Sequence, residues 1–262
     1  MPFTLAHPAA AAPLRRVLGR YGVLSALVIG SMAPDAVYFL PLRVSQPASH
    51  SVAGVFWFCL PIGLVAFAIF HLLVKVPATA LLPVALQHRL PPVRHAFPAV
   101  PAFGVILSLV AGAMTHVAWD AFTHAETLPV TFVPWLRTHL FRVSDFDVAV
   151  WKLLQHVSTV VGLALLGWWT WAALRDRPPI VQPTVPVLAP ATKAAIVTLL
   201  ALAVGTAAVA GVLHAPPSEW TLGAWRLPVR RAVVAAMQAF GAATLAIAVC
   251  WRALSVPVTT RR

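Results

Sequence analysis

The segment T-H-V-A-W-D-A-F-T-H, Thr115 to His124, places His116, Asp120 and His124 four residues apart at the end of a long apolar run. Four residues exceed one helical turn by only about 40°, so the three side chains share a stripe. Imidazoles at i and i+4 can chelate one metal ion. A carboxylate between them can ligate, bridge two ions or orient an imidazole. Imidazole with carboxylate suits zinc best, with manganese or iron also compatible. The same residues admit a metal-free reading, in which Asp–His hydrogen bonds offset the cost of an acid at membrane depth. That cost is about 2.5–3.5 kcal/mol on insertion scales.

The surrounding chain must hold this stripe inside a membrane. The sequence is 60% hydrophobic and 10% charged, and its 262 residues contain only seven acids. Ala96–Trp119, Leu153–Leu174, Ala194–Leu213 and Ala232–Trp251 contain no Asp, Glu, Lys or Arg, and Ala53–Phe70 is equally clean. These runs approach or exceed the roughly twenty apolar residues that cross a bilayer. The expected fold is all-α: a polytopic integral membrane helical bundle of five to six transmembrane helices. Spans are expected at about 51–74, 98–122, 149–174, 193–213 and 231–252. Tyr21–Leu42, interrupted by Pro34 and Asp35, is either a sixth span or a short helix and loop. Lys75–Pro98, rich in proline, reads as a loop. The organisation is a membrane domain over 1–175 carrying the His/Asp residues, a Pro-rich linker over 176–192 and a two-helix tail over 193–262.

A net charge of +12 would suggest nucleic acid if the basic residues lay on a soluble surface. They are expected instead in connections: Arg15, Arg16 and Arg20; Lys75, Arg89 and Arg94; Arg175 and Arg177; Arg252, Arg261 and Arg262. That distribution signals topology and contact with anionic headgroups. Membrane lipids, not nucleic acid, are the expected partners, and the C-terminus is expected in the cytoplasm. There is no G-x-S-x-G, phosphate loop or dinucleotide fingerprint.

On this map Asp35, His50, His116, Asp120, His124 and His156 all fall near one face of the membrane. Three function classes use such a constellation. A metallohydrolase would attack phosphoesters or lipid headgroups, with Asp35 or Asp120 as bridge or general base. A transporter would use Asp and His as a proton or cation relay. A scaffold would use them only to fix helix register.

M-P-F-T-L-A-H-P-A-A at the start, G-S-M-A-P-D-A-V-Y-F at 30–39, S-H-S-V-A-G-V-F at 49–56, the run ending at His124, and K-L-L-Q-H-V-S-T at 152–159 form a specific motif set. Together they resemble a bacterial membrane-protein family, domain of unknown function 4184, over roughly residues 1–175. More distantly, the order His, Asp, His, H-x-x-x-D, His, His is similar to that of zinc-dependent phospholipases C and single-strand-specific zinc nucleases. An inner-membrane family of metal-dependent hydrolases has a similar order. That likeness implies a ligand set of His7, Asp35, His50, His116, Asp120, His124 and His156 around one or two zinc ions. It also implies a place in the bacterial cytoplasmic membrane. The chain departs from the soluble enzymes in having Val160 where they carry an acid, and Met1 where they use a processed terminal amine. His7 separates the topologies: it reaches the cluster with five spans and lies on the opposite face with six.

Overall fold

The computed structural model describes residues 3–180 and 185–254. Met1, Arg261 and Arg262, and residues 181–184 of the expected linker, lie outside the described residues. Among the described residues, five helices are long and apolar enough to cross a membrane. We label them, after the shorter apolar helix α1 (Leu24–Phe39), α2 (Val52–Leu81), α3 (Ala102–Thr123), α4 (Val150–Arg175), α5 (Pro190–Leu213) and α6 (Arg226–Leu254). Of the five to six expected spans, five are matched by helices of sufficient length and apolarity among the described residues. α1 is too short because it ends at Phe39, where Leu40 becomes extended, and a 3₁₀ turn at Ala33–Asp35, where Pro34 supplies no N–H, breaks its regularity.

One compact unit comprises residues Met1–Phe67, Pro98–Ala172 and Ser218–Arg226. Its centre is the packing of α1 on α3, which depends on residues without bulk. A Cβ on Gly30 would collide with the carbonyl of Leu109, and one on Gly112 with the carbonyl of Leu27. Such close backbone approach is how membrane helices associate without a hydrophobic driving force. Ser108 adds a polar clamp, accepting from Val23 N at 2.9 Å and donating to the Tyr21 carbonyl at 3.2 Å. Ahead of α1, the short helices Thr4–Ala6 and Pro8–Ala11 bring the N-terminal segment back against α1 and α3.

The connection after α3 contains structure that the apolar pattern does not announce. A short helix, Leu128–Phe132, and a turn at Pro134–Arg137 lead into antiparallel strands β1 (His139–Val143) and β2 (Phe146–Ala149). Arg142 and Asp147 pair across the hairpin, and the Asp145 carboxylate accepts from Gly223 N at 2.9 Å. That hydrogen bond holds the Asp145 carboxyl below its ordinary pKa.

The other unit comprises Ala68–Phe97, Ala173–Pro217 and Leu227–Arg262. Here the structure differs from the expected loop at Lys75–Pro98: α2 continues through Lys75 to Leu81, and Val84–Gln87 forms a further turn. Lys75 is tolerated because its ammonium reaches the Ala96 carbonyl at 2.5 Å and His71 Nδ1 at 3.0 Å. A π-helical segment at Phe70–Val74 already breaks the regular hydrogen-bond ladder ahead of Pro77. Arg89 donates to the carbonyls of Leu174 and Arg175, satisfying the end of α4.

Candidate metal centre

Four chain segments of the first unit deliver the polar side chains. His7 closes the 3₁₀ turn Thr4–Ala6, Asp35 ends the 3₁₀ turn that interrupts α1, His50 caps Gln46–Ser49 just before α2, and His116 and Asp120 lie on α3. His7, Asp35, His116 and Asp120 are all buried. Five of the seven residues expected from the sequence therefore converge.

His116 and His50 have their ring orientations fixed from behind. His116 Nδ1 lies 2.7 Å from the Ser31 carbonyl, which can only accept, so Nδ1 carries a hydrogen. His50 Nδ1 lies 3.1 Å from the Gln46 carbonyl and 2.9 Å from Ser49 Oγ, whose own proton goes to Gln46. In the neutral rings both Nε2 atoms hold lone pairs, and these face each other at 3.2 Å. Two lone pairs repel at that distance unless a cation, proton or metal, lies between them.

The carboxylates are similarly poised. Thr4 Oγ1 donates to Asp35 Oδ2 at 2.6 Å, leaving Oδ1 at 3.3 Å from His50 Nε2 and 3.7 Å from His116 Nε2. Asp120 Oδ2 lies 3.5 Å from His50 Nε2 and 3.4 Å from His116 Nε2, and Oδ1 lies 3.6 Å from His7 Nε2. Charge-assisted N–H···O hydrogen bonds close to about 2.7–2.9 Å, and none of these His–Asp contacts does. Asp35 Oδ1, both Asp120 oxygens and His7 Nε2 are buried and make no hydrogen bond among the described residues. The His7 ring stacks on His116 at 3.7 Å between centroids. Burial first, and His116 second, pull the His7 pKa from 6.5 to about 4 against the opposing pull of Asp120 and Asp35, so this imidazole is neutral.

Two overlapping groups, His50–His116–Asp120 and His7–Asp35–His116, have ligand atoms close enough together to hold a metal ion. His124 stands beside them, not in either group. α3 ends at Thr123, and His124 adopts extended backbone, turning Nδ1 onto the Asp120 carbonyl at 3.0 Å. His156 stands apart, exposed on α4, whose buried side carries Lys152 and Gln155. The hydroxyl of Thr4 and the carbonyls of Ser31 and Gln46 escape a sequence reading, because nothing in their local pattern marks them.

The family model described as Domain of unknown function (DUF4184) matches residues 1–249, and the chain belongs to that family. No curated protein and no solved structure matches the chain.

Proposed function

We propose that this DUF4184 protein is a membrane-embedded metal-dependent hydrolase of phosphoesters, with zinc at the buried cluster. The carrying observation is one triangle of ligand atoms. His50 Nε2, His116 Nε2 and Asp120 Oδ2 are separated by 3.2, 3.4 and 3.5 Å. Zinc bonds of roughly 2.0–2.1 Å in tetrahedral geometry imply ligand separations of about 3.3–3.4 Å. A shared proton would satisfy one contact and leave the others too long. Two imidazoles and one carboxylate also leave a coordination position free, as catalytic zinc sites do.

The other groups support that assignment. The Ser31 and Gln46 carbonyls fix the His116 and His50 tautomers, as outer-shell acceptors do in metal sites. Asp35 and Asp120 bring two buried acids whose ion-pair partners among the described residues are all histidines, so a divalent cation would balance them. Because the two ligand groups share His116, one ion is the occupancy they support best.

A bound divalent ion would lower the pKa of water and polarise a phosphoryl oxygen. Asp120 Oδ1, free of hydrogen bonds and directed at His7, would accept the proton that attack releases. Asp35, tied to Thr4, would orient the reacting water through Oδ1. The chain would lie in a bacterial cytoplasmic membrane with its C-terminus inside, the cluster on the opposite side and lipid as neighbour and partner. With five spans, the start of α2, the end of α3 and the start of α4 would lie on one side.

Metal analysis by plasma mass spectrometry, with phosphodiesterase assays on the detergent-purified protein, tests this reading. One zinc per chain and hydrolysis are expected, both absent from a folded His116→Ala, Asp120→Ala variant. A folded native protein that binds no zinc after reconstitution would overturn it.

A further inference from the structure

Against the cluster, within the same unit, lies a cavity of about 330 Å³ between the N-terminal segment, α3 and α4. Ala6, Ala10, Trp119, Leu154, Val161 and Leu165 form most of its wall. Its polar side chains are His7 and Ser158, apart from the indole of Trp119, and Ser158 Oγ donates to the Gln155 carbonyl at 3.1 Å. His7 is thus the chemically available end, and it belongs to both structures. Its ring stacks on His116, and its Nε2 faces Asp120 Oδ1. Trp119 directly precedes Asp120.

The other end of the cavity points to its occupant. Leu154, Val157, Val161 and Leu165 recur at helical spacing along α4, and Val157, Val161 and Leu165 are exposed. On a helix apolar and long enough to span a membrane, exposed aliphatic side chains border bilayer lipid. The wall can come this close because Gly162 has no side chain: a Cβ there would meet the Ala6 carbonyl at 3.0 Å. The result is an apolar cavity beside the lipid-facing side of α4, with one member of the buried His/Asp cluster, His7, in its wall. Its volume is at the lower end of the roughly 300–1,000 Å³ usual for ligand sites, which suits one hydrocarbon chain.

We infer that this cavity seats one hydrocarbon chain of a membrane lipid whose phosphate ester enters the cluster past His7. The substrate class is therefore a lipid phosphoester taken laterally from the bilayer. The headgroup half rests on the hydrolase reading above; the chain half does not. In the reaction, the oxygen of water bonds to phosphorus and the phosphorus–oxygen bond on the lipid side breaks. One proton of the water ends on the lipid alcohol, and no electrons are transferred.

The test uses full-length, zinc-loaded protein in nanodiscs containing phosphatidylglycerol, a phosphodiester, with a diazirine on one acyl chain. Photolabelling mapped by mass spectrometry is expected at Trp119 and Leu154, above the level at Val197 and Leu199 of α5. Val161→Trp and Ala10→Trp, each made separately to fill the cavity, should cut that labelling and lipid hydrolysis at least about tenfold. Zinc content and hydrolysis of the water-soluble bis(p-nitrophenyl) phosphate should be unchanged. Cavity labelling no stronger than on α5, or insensitive to both substitutions, would overturn the proposal. If neither ester is hydrolysed but labelling behaves as expected, the hydrolase reading fails and the chain site stands.

Discussion

His50 Nε2 and His116 Nε2 face each other at 3.2 Å while the opposite nitrogen of each ring is held by a backbone carbonyl. The arrangement joins residues 66 positions apart. It requires α1 to supply the Ser31 carbonyl, the turn Gln46–Ser49 to supply its own, and α3 to carry His116 between them. The chemistry is therefore a product of tertiary packing, and each support can be removed separately.

The two ring positions are expected to matter and His156 is not. His50→Ala should lower zinc content to background, whereas His156→Ala should leave both zinc stoichiometry and hydrolysis at native levels. The reason is placement: His156 is exposed on α4 and belongs to neither ligand group. Zinc loss on replacing His156 alone would contradict this.

That contrast indicates what the sequence could and could not reveal. The uninterrupted apolar runs were sufficient to locate five spans, because burying a charge in lipid is costly wherever it occurs. His116 and Asp120 were legible as partners, because four-residue spacing fixes their relation inside α3. The same rule brings His124 Nδ1 to 3.7 Å from the Asp120 carboxylate, but α3 ends at Thr123 and the extended backbone of His124 leaves it outside both ligand groups. His156 follows the order of zinc enzymes, but the phase of α4 is set by the buried Lys152, Gln155 and Gly162. The shortness of α1 and the recruitment of Thr4 depend on contacts between distant segments, which periodicity does not encode.

Thr4 should tune the site without ligating. Its hydroxyl donates to Asp35 Oδ2 at 2.6 Å and so determines which oxygen faces the imidazoles. Thr4→Val keeps the shape and removes the donor. Zinc affinity should fall about 10- to 100-fold, the usual effect of losing an outer-shell partner, while Thr4→Ser should retain most of it. Competition with a chromophoric chelator measures both, and equal affinities for native and Thr4→Val would refute the role.

His7 should make the metal-free protein acid-labile. Its folded pKa is about 4 against 6.5 unfolded, so below pH 6.5 the unfolded chain takes up a proton that the folded chain refuses. Stability is full above about pH 6.5 and declines as pH falls towards 4. The loss is on the order of 3 kcal/mol. His7→Gln should flatten that decline in thermal unfolding of chelator-treated protein between pH 7 and pH 4. An equally steep decline in the variant would remove His7 as the cause.

The α1–α3 contact should be the least forgiving part of the unit that holds the cluster. A Cβ on Gly112 would run into the Leu27 carbonyl and approach Ser31 N to 2.8 Å, and neither backbone atom can rotate away. Gly112→Val must therefore spread the helices, withdrawing the Ser31 carbonyl from its 2.7 Å contact with His116 Nδ1. We expect a loss of about 1–3 kcal/mol or more from overpacking, accompanied by loss of zinc. Gly167 provides the control, because nothing lies within 4 Å of where its Cβ would be. Gly167→Ala should be neutral or stabilise by up to about 1 kcal/mol. Parallel thermal unfolding and zinc measurements on the two variants distinguish a specific close approach from a general need for glycine, since only the first predicts damage at position 112 alone.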